Sequence, residues 1–239
     1  MNTKKYFIIG LLFFSLIAGL SQVFSEDISG IIKSLFSQEQ RRTEYSEVYD
    51  PLLSVFIELE QQDLPTASLI DKLKEGFAKK VSPEKLLAGI KNEATRVKKT
   101  SELMKRVQFI CRDENEKKEL FRNISLFLLG GLPEGMLESM LRDVRDKEQA
   151  VKIVQSLGTT ILKLKNITGL NDTELSSLSN VLLNSALTYS SYPMITSLFV
   201  KAKFRRISDQ EMFLLVVNIL KRGGGILQIE EELSRRTKR

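Results

Sequence analysis

Val81-Ser82-Pro83-Glu84-Lys85-Leu86-Leu87-Ala88-Gly89-Ile90-Lys91-Asn92-Glu93-Ala94 decides the fold class. Serine followed by proline is a helix start. The Ser82 side-chain oxygen can accept an orphan backbone N–H, and Pro83, with φ fixed and no N–H to lose, suits the first turn. Behind it Leu87, Ile90, Ala94, Val97, Met104, Val107 and Cys111 recur at the spacing of one helical face. The rhythm continues outward in both directions. Leu69, Ile70, Leu73 and Phe77 precede it, and Ala150, Ile153, Val154, Leu157, Ile161 and Leu164 follow, then Leu175, Leu178, Leu182, Leu183 and Ala186. Pro51, Pro65, Pro133 and Pro193 each stand before another amphipathic stretch, with Asp50 placed to cap the one at Pro51. Asn171 with Glu174 and Ser208 with Glu211 have capping-box spacing. Alternating strand patterns and the Asn-Gly or Asp-Gly pairs that close hairpins are missing. The chain reads as all-α, with about ten helices in an irregular bundle or a short helix-pair solenoid.

Val81 to Leu87 is echoed by Gly131-Leu132-Pro133-Glu134-Gly135-Met136-Leu137, and Ile207-Ser208-Asp209-Gln210-Glu211-Met212-Phe213 fits the same order of cap, polar first turn and apolar pair. Pro83 to Pro133 is 50 residues and Pro133 to Asp209 is 76, so the echo gives no regular period. Gly130-Gly131 ends one helical stretch. Gly223-Gly224-Gly225 ends another and frees the last segment. The expected organisation is an export signal over 1–25, a helical domain over 26–222, and a glycine hinge with a basic C-terminal helix and tail over 223–239.

The export signal rests on Lys4 and Lys5, the uncharged run from Phe7 to Leu20, and Val23-Phe24-Ser25 before Glu26, which places cleavage after Ser25 and the mature chain in the periplasm or outside the cell. The run is shorter than the roughly 20 apolar residues of a spanning helix, and no second run of that length follows, so no transmembrane helix is expected after cleavage. Export also argues against nucleic acid as a partner. With 42% hydrophobic and 28% charged residues, the 239-residue chain can bury a core. It has no histidine and one cysteine, Cys111, which excludes imidazole-dependent catalysis, histidine–zinc sites and an intrachain disulfide.

The candidate sites are few. Lys201, Lys203, Arg205 and Arg206 form a basic cluster able to bind phosphates or anionic lipid headgroups, or to serve as a solvated helix end. Ser82 and Lys85 match a Ser-x-x-Lys pattern, but no Lys-Thr-Gly or Ser-Asp-Asn accompanies it, and Pro83 marks Ser82 as a cap. Glu44 with Glu47, Glu58 with Glu60, and Glu230 to Glu232 are the carboxylates from which a glycan hydrolase would be built. Asp113, Glu114 and Glu116 lack calcium-loop spacing, and Cys111 reads as a buried thiol.

The most distinctive string is Leu73-Lys74-Glu75-Gly76-Phe77-Ala78-Lys79-Lys80 directly before the Ser82-Pro83-Glu84 start. It resembles an uncharacterised group of exported, helix-rich bacterial proteins in which Glu-Gly-x-Ala-Lys-Gly precedes a Pro-Glu helix start. Glu75, Gly76, Ala78 and Lys79 match, whereas Lys80 stands where the group has glycine, which puts a special turn there in doubt. The likeness covers about residues 64–110, with a fainter match over 192–225, and implies a helical architecture and an exported compartment but no mechanism. Glu75 and Lys79 have the favourable i, i+4 order for a helical ion pair, and Gly76 inside a helix points to a close neighbour. Taken together, the expectation is an exported helical protein that binds a protein or envelope component without catalysis, cofactor or metal. The alternative is a carboxylate-dependent hydrolase acting on cell-wall glycan.

Overall fold

The computed structural model describes residues 28–107 and 111–236; the expected export signal, residues 1–25, lies outside the described residues. Among the described residues there are twelve α-helices, one 3₁₀ turn at Tyr189–Ser191 and no strand. The described residues fall into two compact units, which divide between Thr95 and Arg96. The boundary lies inside a long helix rather than at the Gly223–Gly225 run.

The first unit contains α1 (Ile28–Leu35), α2 (Glu39–Glu44), α3 (Ser46–Gln61), α4 (Ala67–Ala78) and the start of α5 (Pro83–Val107). Helix α3 buries Val48, Leu52, Phe56 and Leu59, one face at i, i+4, i+8 and i+11. Pro51 does not start this helix as expected. It lies inside it, and Asp50 is a helical residue rather than a cap. Pro51 and Glu47 are exposed, so the Glu47 carbonyl that loses its intrahelical donor faces water, which makes the proline tolerable. Phe36, Tyr45 and Phe77 form an aromatic knot. Phe77 meets Phe36 and Tyr45 edge-on at centroid distances of 5.1 and 5.0 Å, and Arg41 lies 4.9 Å above the Phe77 ring. The Tyr45 hydroxyl donates to the Val81 carbonyl at 2.7 Å, fastening the knot to the joint between α4 and α5.

The second unit contains the rest of α5, then α6 (Glu114–Leu129), α7 (Glu134–Asp143), α8 (Ala150–Ile167), α9 (Asp172–Asn184), α10 (Tyr192–Phe204), α11 (Asp209–Lys221) and α12 (Ile226–Arg236). Helices α6 to α10 each pack on the one two places ahead, and α7 to α12 also pack on a chain neighbour. Helices α6, α8, α10 and α12 form one layer and α7, α9 and α11 the other. This is the stacking of a short helix-pair solenoid. Helix α8 is the hub and buries Val151, Val154, Leu157, Gly158, Ile161 and Leu164. The segment after the triple glycine is docked: Ile226, Ile229 and Leu233 of α12 are buried against α10 and α11.

The second helices of the three pairs begin at N-caps Pro133, Asn171 and Ser208, spaced 38 and 37 residues apart along the sequence. A regular period therefore exists where the sequence echo gave none. The 76-residue interval holds a middle copy, Gly169-Leu170-Asn171-Asp172. Both expected capping boxes, Asn171 with Glu174 and Ser208 with Glu211, are formed.

Five helices end in the same terminator. Asp63, Lys80, Gly131, Arg206 and Gly223 have φ of 52°, 51°, 81°, 59° and 79°. In each case the next residue donates its N–H five residues back: Leu64 to Leu59, Val81 to Gly76, Leu132 to Phe127, Ile207 to Ala202 and Gly224 to Ile219, all at 2.9–3.0 Å. Lys80 therefore makes the left-handed turn that the resemblance assigned to glycine, and the lysine does not abolish it.

Candidate functional site

The Glu75–Lys80 string is a joint. Gly76 is buried, and a Cβ on it would lie 2.3 Å from Cδ1 of Leu86 on α5. The glycine permits the close approach of α4 and α5. Glu75 and Lys79 form an exposed i, i+4 ion pair, and the hydrogen bond from the ammonium holds the Glu75 carboxyl below its ordinary value. Ala78 is exposed.

The basic cluster has internal partners. Lys201 pairs with Glu230 of α12 at 2.6 Å, and Arg205 donates to the Ser234 hydroxyl at 3.4 Å. Lys203 donates to the Ile167 carbonyl and stands 3.4 Å from Asp209, whose carboxylate also accepts from the Gly169 N–H at 2.9 Å. One repeat earlier Lys165 does the same, donating to the Gly131 carbonyl at 2.8 Å and to Asp172 at 2.6 Å. Each lysine thus clasps the joint of the preceding pair to the first residue of the next helix in its own pair. Lys203 is a structural clasp, and Arg206 supplies the left-handed turn.

What the cluster surrounds is Phe204, 86% exposed. Helix α10 buries Tyr192, Ile195, Leu198, Phe199 and Ala202 on its inner face, yet its outer face carries Pro193, Met194, Val200 and Phe204. An amphipathic helix would put polar groups there. Of the seven exposed large apolar side chains among the described residues of the second unit, six (Leu126, Leu129, Met194, Val200, Phe204 and Leu227) belong to the layer of α6, α8, α10 and α12, and one, Leu214, to the other layer. Sequence reasoning missed this face because periodicity was read for buried positions only. The apolar residues on the outer face of α10, seven residues apart at Pro193 and Val200 and eleven at Pro193 and Phe204, were the available signal.

Cys111 is partly buried against the core of the second unit. Burial, and then the nearby Glu116 carboxylate, pushes its thiol pKa up, which makes it a poor nucleophile. Among the described residues no cluster of three or more acidic or thiol side chains could hold a metal ion, and no helix is long and apolar enough to cross a membrane. No family model, curated protein or solved structure matches the chain.

Proposed function

We propose that the chain is an exported binding protein of the cell envelope, and that the first helix layer of its second unit docks a protein partner. The observation that carries this reading is the concentration of exposed apolar side chains on that layer, with Phe204 at its edge beside Lys203, Arg205 and Arg206. Exposed apolar surface on a solenoid layer is the usual basis of its partner binding, and the basic edge suits a partner whose apolar patch is fringed with acidic groups. Export is supported by Lys4, Lys5 and the apolar run to Leu20. Against a glycan hydrolase weighs the use of the C-terminal carboxylates in ion pairs: Glu230 with Lys201, and Glu232 with Arg235 and Arg236.

A photo-crosslinking residue at Phe204 or Leu129, expressed in the native envelope, should give a discrete protein adduct identified by mass spectrometry. The same residue at Asn218, exposed on α11 of the other layer, should not. Equal labelling from both layers, or none from either, would overturn the docking face. N-terminal sequencing of the fractionated protein tests export separately, with Glu26 as the expected first residue.

A further inference from the structure

The first unit carries a site of different chemistry from the apolar layer, and the argument for it is independent of that layer. A groove of about 600 Å³ opens at the corner of α1, α2 and α3, lined by Lys33, Phe36, Ser37, Arg42, Ser46 and Tyr49. That volume lies within the roughly 300–1,000 Å³ of small-molecule sites and exceeds what a bare inorganic anion fills. One wall is aromatic and fixed. Phe36, 3% exposed, meets Tyr49 edge-on with centroids 4.9 Å apart, and is held from behind by Phe77.

The groove draws two cations together, and neither Lys33 nor Arg42 has a carboxylate partner among the described residues. Three of the four cations lining two cavities of the second unit are matched internally. Arg112 pairs with Glu116 at 2.9 Å, Lys117 with Glu114 at 3.2 Å, and Arg145 donates to the Asn184 side-chain carbonyl at 2.7 Å. Two unmatched positive charges on one groove repel each other, and a bound anion converts that repulsion into attraction.

The serines narrow the ligand further. Ser37 donates its hydroxyl proton to the Ser34 carbonyl at 2.7 Å, and Ser46 donates to the Thr43 carbonyl at 3.2 Å. With their protons engaged, both oxygens offer lone pairs, which repel an anionic oxygen and accept a ligand hydroxyl. The groove therefore joins cationic donors for an anion, acceptors for hydroxyl groups and an aromatic wall for a carbon frame.

We propose that this groove binds a phosphorylated polyol, with its phosphate on Lys33 and Arg42, its hydroxyls on Ser37 and Ser46, and its carbon frame on Phe36 and Tyr49. The guanidinium of Arg42 can hold two phosphate oxygens at once, and Lys33 supplies the second charge. This chemistry is shared by a free sugar or glycerol phosphate and by the glycerophosphate headgroup of an anionic lipid.

Isothermal titration of the purified protein with glycerol 3-phosphate should show saturable binding that weakens as salt rises. Lys33→Gln and Arg42→Gln should each weaken it about tenfold, the loss of one charge-assisted contact. Both residues are exposed, and a far-UV circular dichroism spectrum identical to the parent's confirms that each variant is folded. Ser46→Ala should weaken glycerol 3-phosphate about threefold, the cost of one hydrogen bond, and leave inorganic phosphate unchanged. Vesicles of phosphatidylglycerol separate the two sources. Competition by soluble glycerol 3-phosphate for vesicle binding assigns the lipid headgroup, and binding of the soluble compound alone assigns the free ester. Inorganic phosphate bound as tightly as glycerol 3-phosphate, affinity unchanged in both charge variants, or no saturable binding at millimolar ligand would each overturn the proposal.

Discussion

The two units solve the same packing problem by different means. In the second, equivalent parts recur. N-caps at Pro133, Asn171 and Ser208 begin the second helix of each pair, and Lys165 and Lys203 each clasp a carbonyl of the preceding joint and an equivalent aspartate. Among the described residues of the first unit nothing repeats. An aromatic knot of Phe36, Tyr45 and Phe77 closes the corner, with the α4–α5 joint beside it. Yet both units make a close helix contact through one glycine in a helix interior: Gly76 against Leu86 in the first, and Gly158 against Phe127 in the second. The difference lies in what each glycine faces. A Cβ on Gly158 would lie 2.3, 2.5 and 2.7 Å from three atoms of the Phe127 ring. A Cβ on Gly76 would clash only with one terminal methyl of Leu86, whose Cγ is 3.5 Å away.

That contrast fixes the largest expected effect. Phe127 is 4% exposed, and a rigid ring has no free end to swing aside. Gly158→Ala should therefore destabilise the protein by about 3 kcal/mol, the upper part of the overpacking range, measured by guanidinium denaturation followed by circular dichroism. A loss under about 1 kcal/mol would mean that α6 and α8 can separate without penalty.

Gly76→Ala should destabilise less, by about 1 kcal/mol, because the leucine methyl can turn away and the alanine recovers helix propensity. Pairing it with Leu86→Ala isolates the contact, since the double variant should lose less than the sum of the two singles. A Gly76→Ala protein more stable than the parent by about 0.4–1 kcal/mol, the behaviour of an exposed helix glycine, would remove the glycine's packing role.

The lysine clasps come next. Lys165→Met should cost about 1 kcal/mol, because a charged donor to a carbonyl and a carboxylate is lost at a side chain only 28% exposed. Lys203→Met should cost less, since its side chain is 44% exposed and its carboxylate stands at 3.4 Å rather than 2.6 Å. Equal losses would break the equivalence of burial and effect on which the ranking depends.

Helix content, caps and apolar faces were legible in the sequence because each is a local rule. Asn171 with Glu174 and Ser208 with Glu211 follow from spacing alone, and both boxes form. Position within the long helix was legible only to a residue or so. Leu86 is buried at 3%, while the neighbouring Leu87 is only half-buried, since both lie near the edge of the apolar stripe. The repeat was hidden because its middle copy starts with Leu170-Asn171-Asp172, which shares with Leu132-Pro133-Glu134 a geometry and not a set of residues. The fate of Lys203 was not legible either. A lysine in a basic string announces charge, and only the fold brings Asp209 and the Ile167 carbonyl to it. The groove of Lys33 and Arg42 was missed for a related reason, because its cations are nine residues apart and belong to different helices.

The smallest effect tests the terminators that both units share. Lys80 and Arg206 adopt φ of 51° and 59°, where an L side chain is strained and glycine is not, while the equivalent turn after α6 uses Gly131 at 81°. Replacing either by glycine relieves roughly 1 kcal/mol of backbone strain and returns about half of it as added freedom of the unfolded chain. Lys80→Gly and Arg206→Gly should each stabilise the protein by about 0.5 kcal/mol. Gly131→Ala, which imposes the strain, should destabilise it by about 1 kcal/mol. Both basic side chains are exposed, so the gain reports on the backbone rather than on a lost contact. Denaturation midpoints for the three variants decide the matter by sign. A destabilising Lys80→Gly alongside a stabilising Arg206→Gly would show that the lysine side chain itself holds the α4–α5 joint, and that the terminators of the two units are alike in shape only.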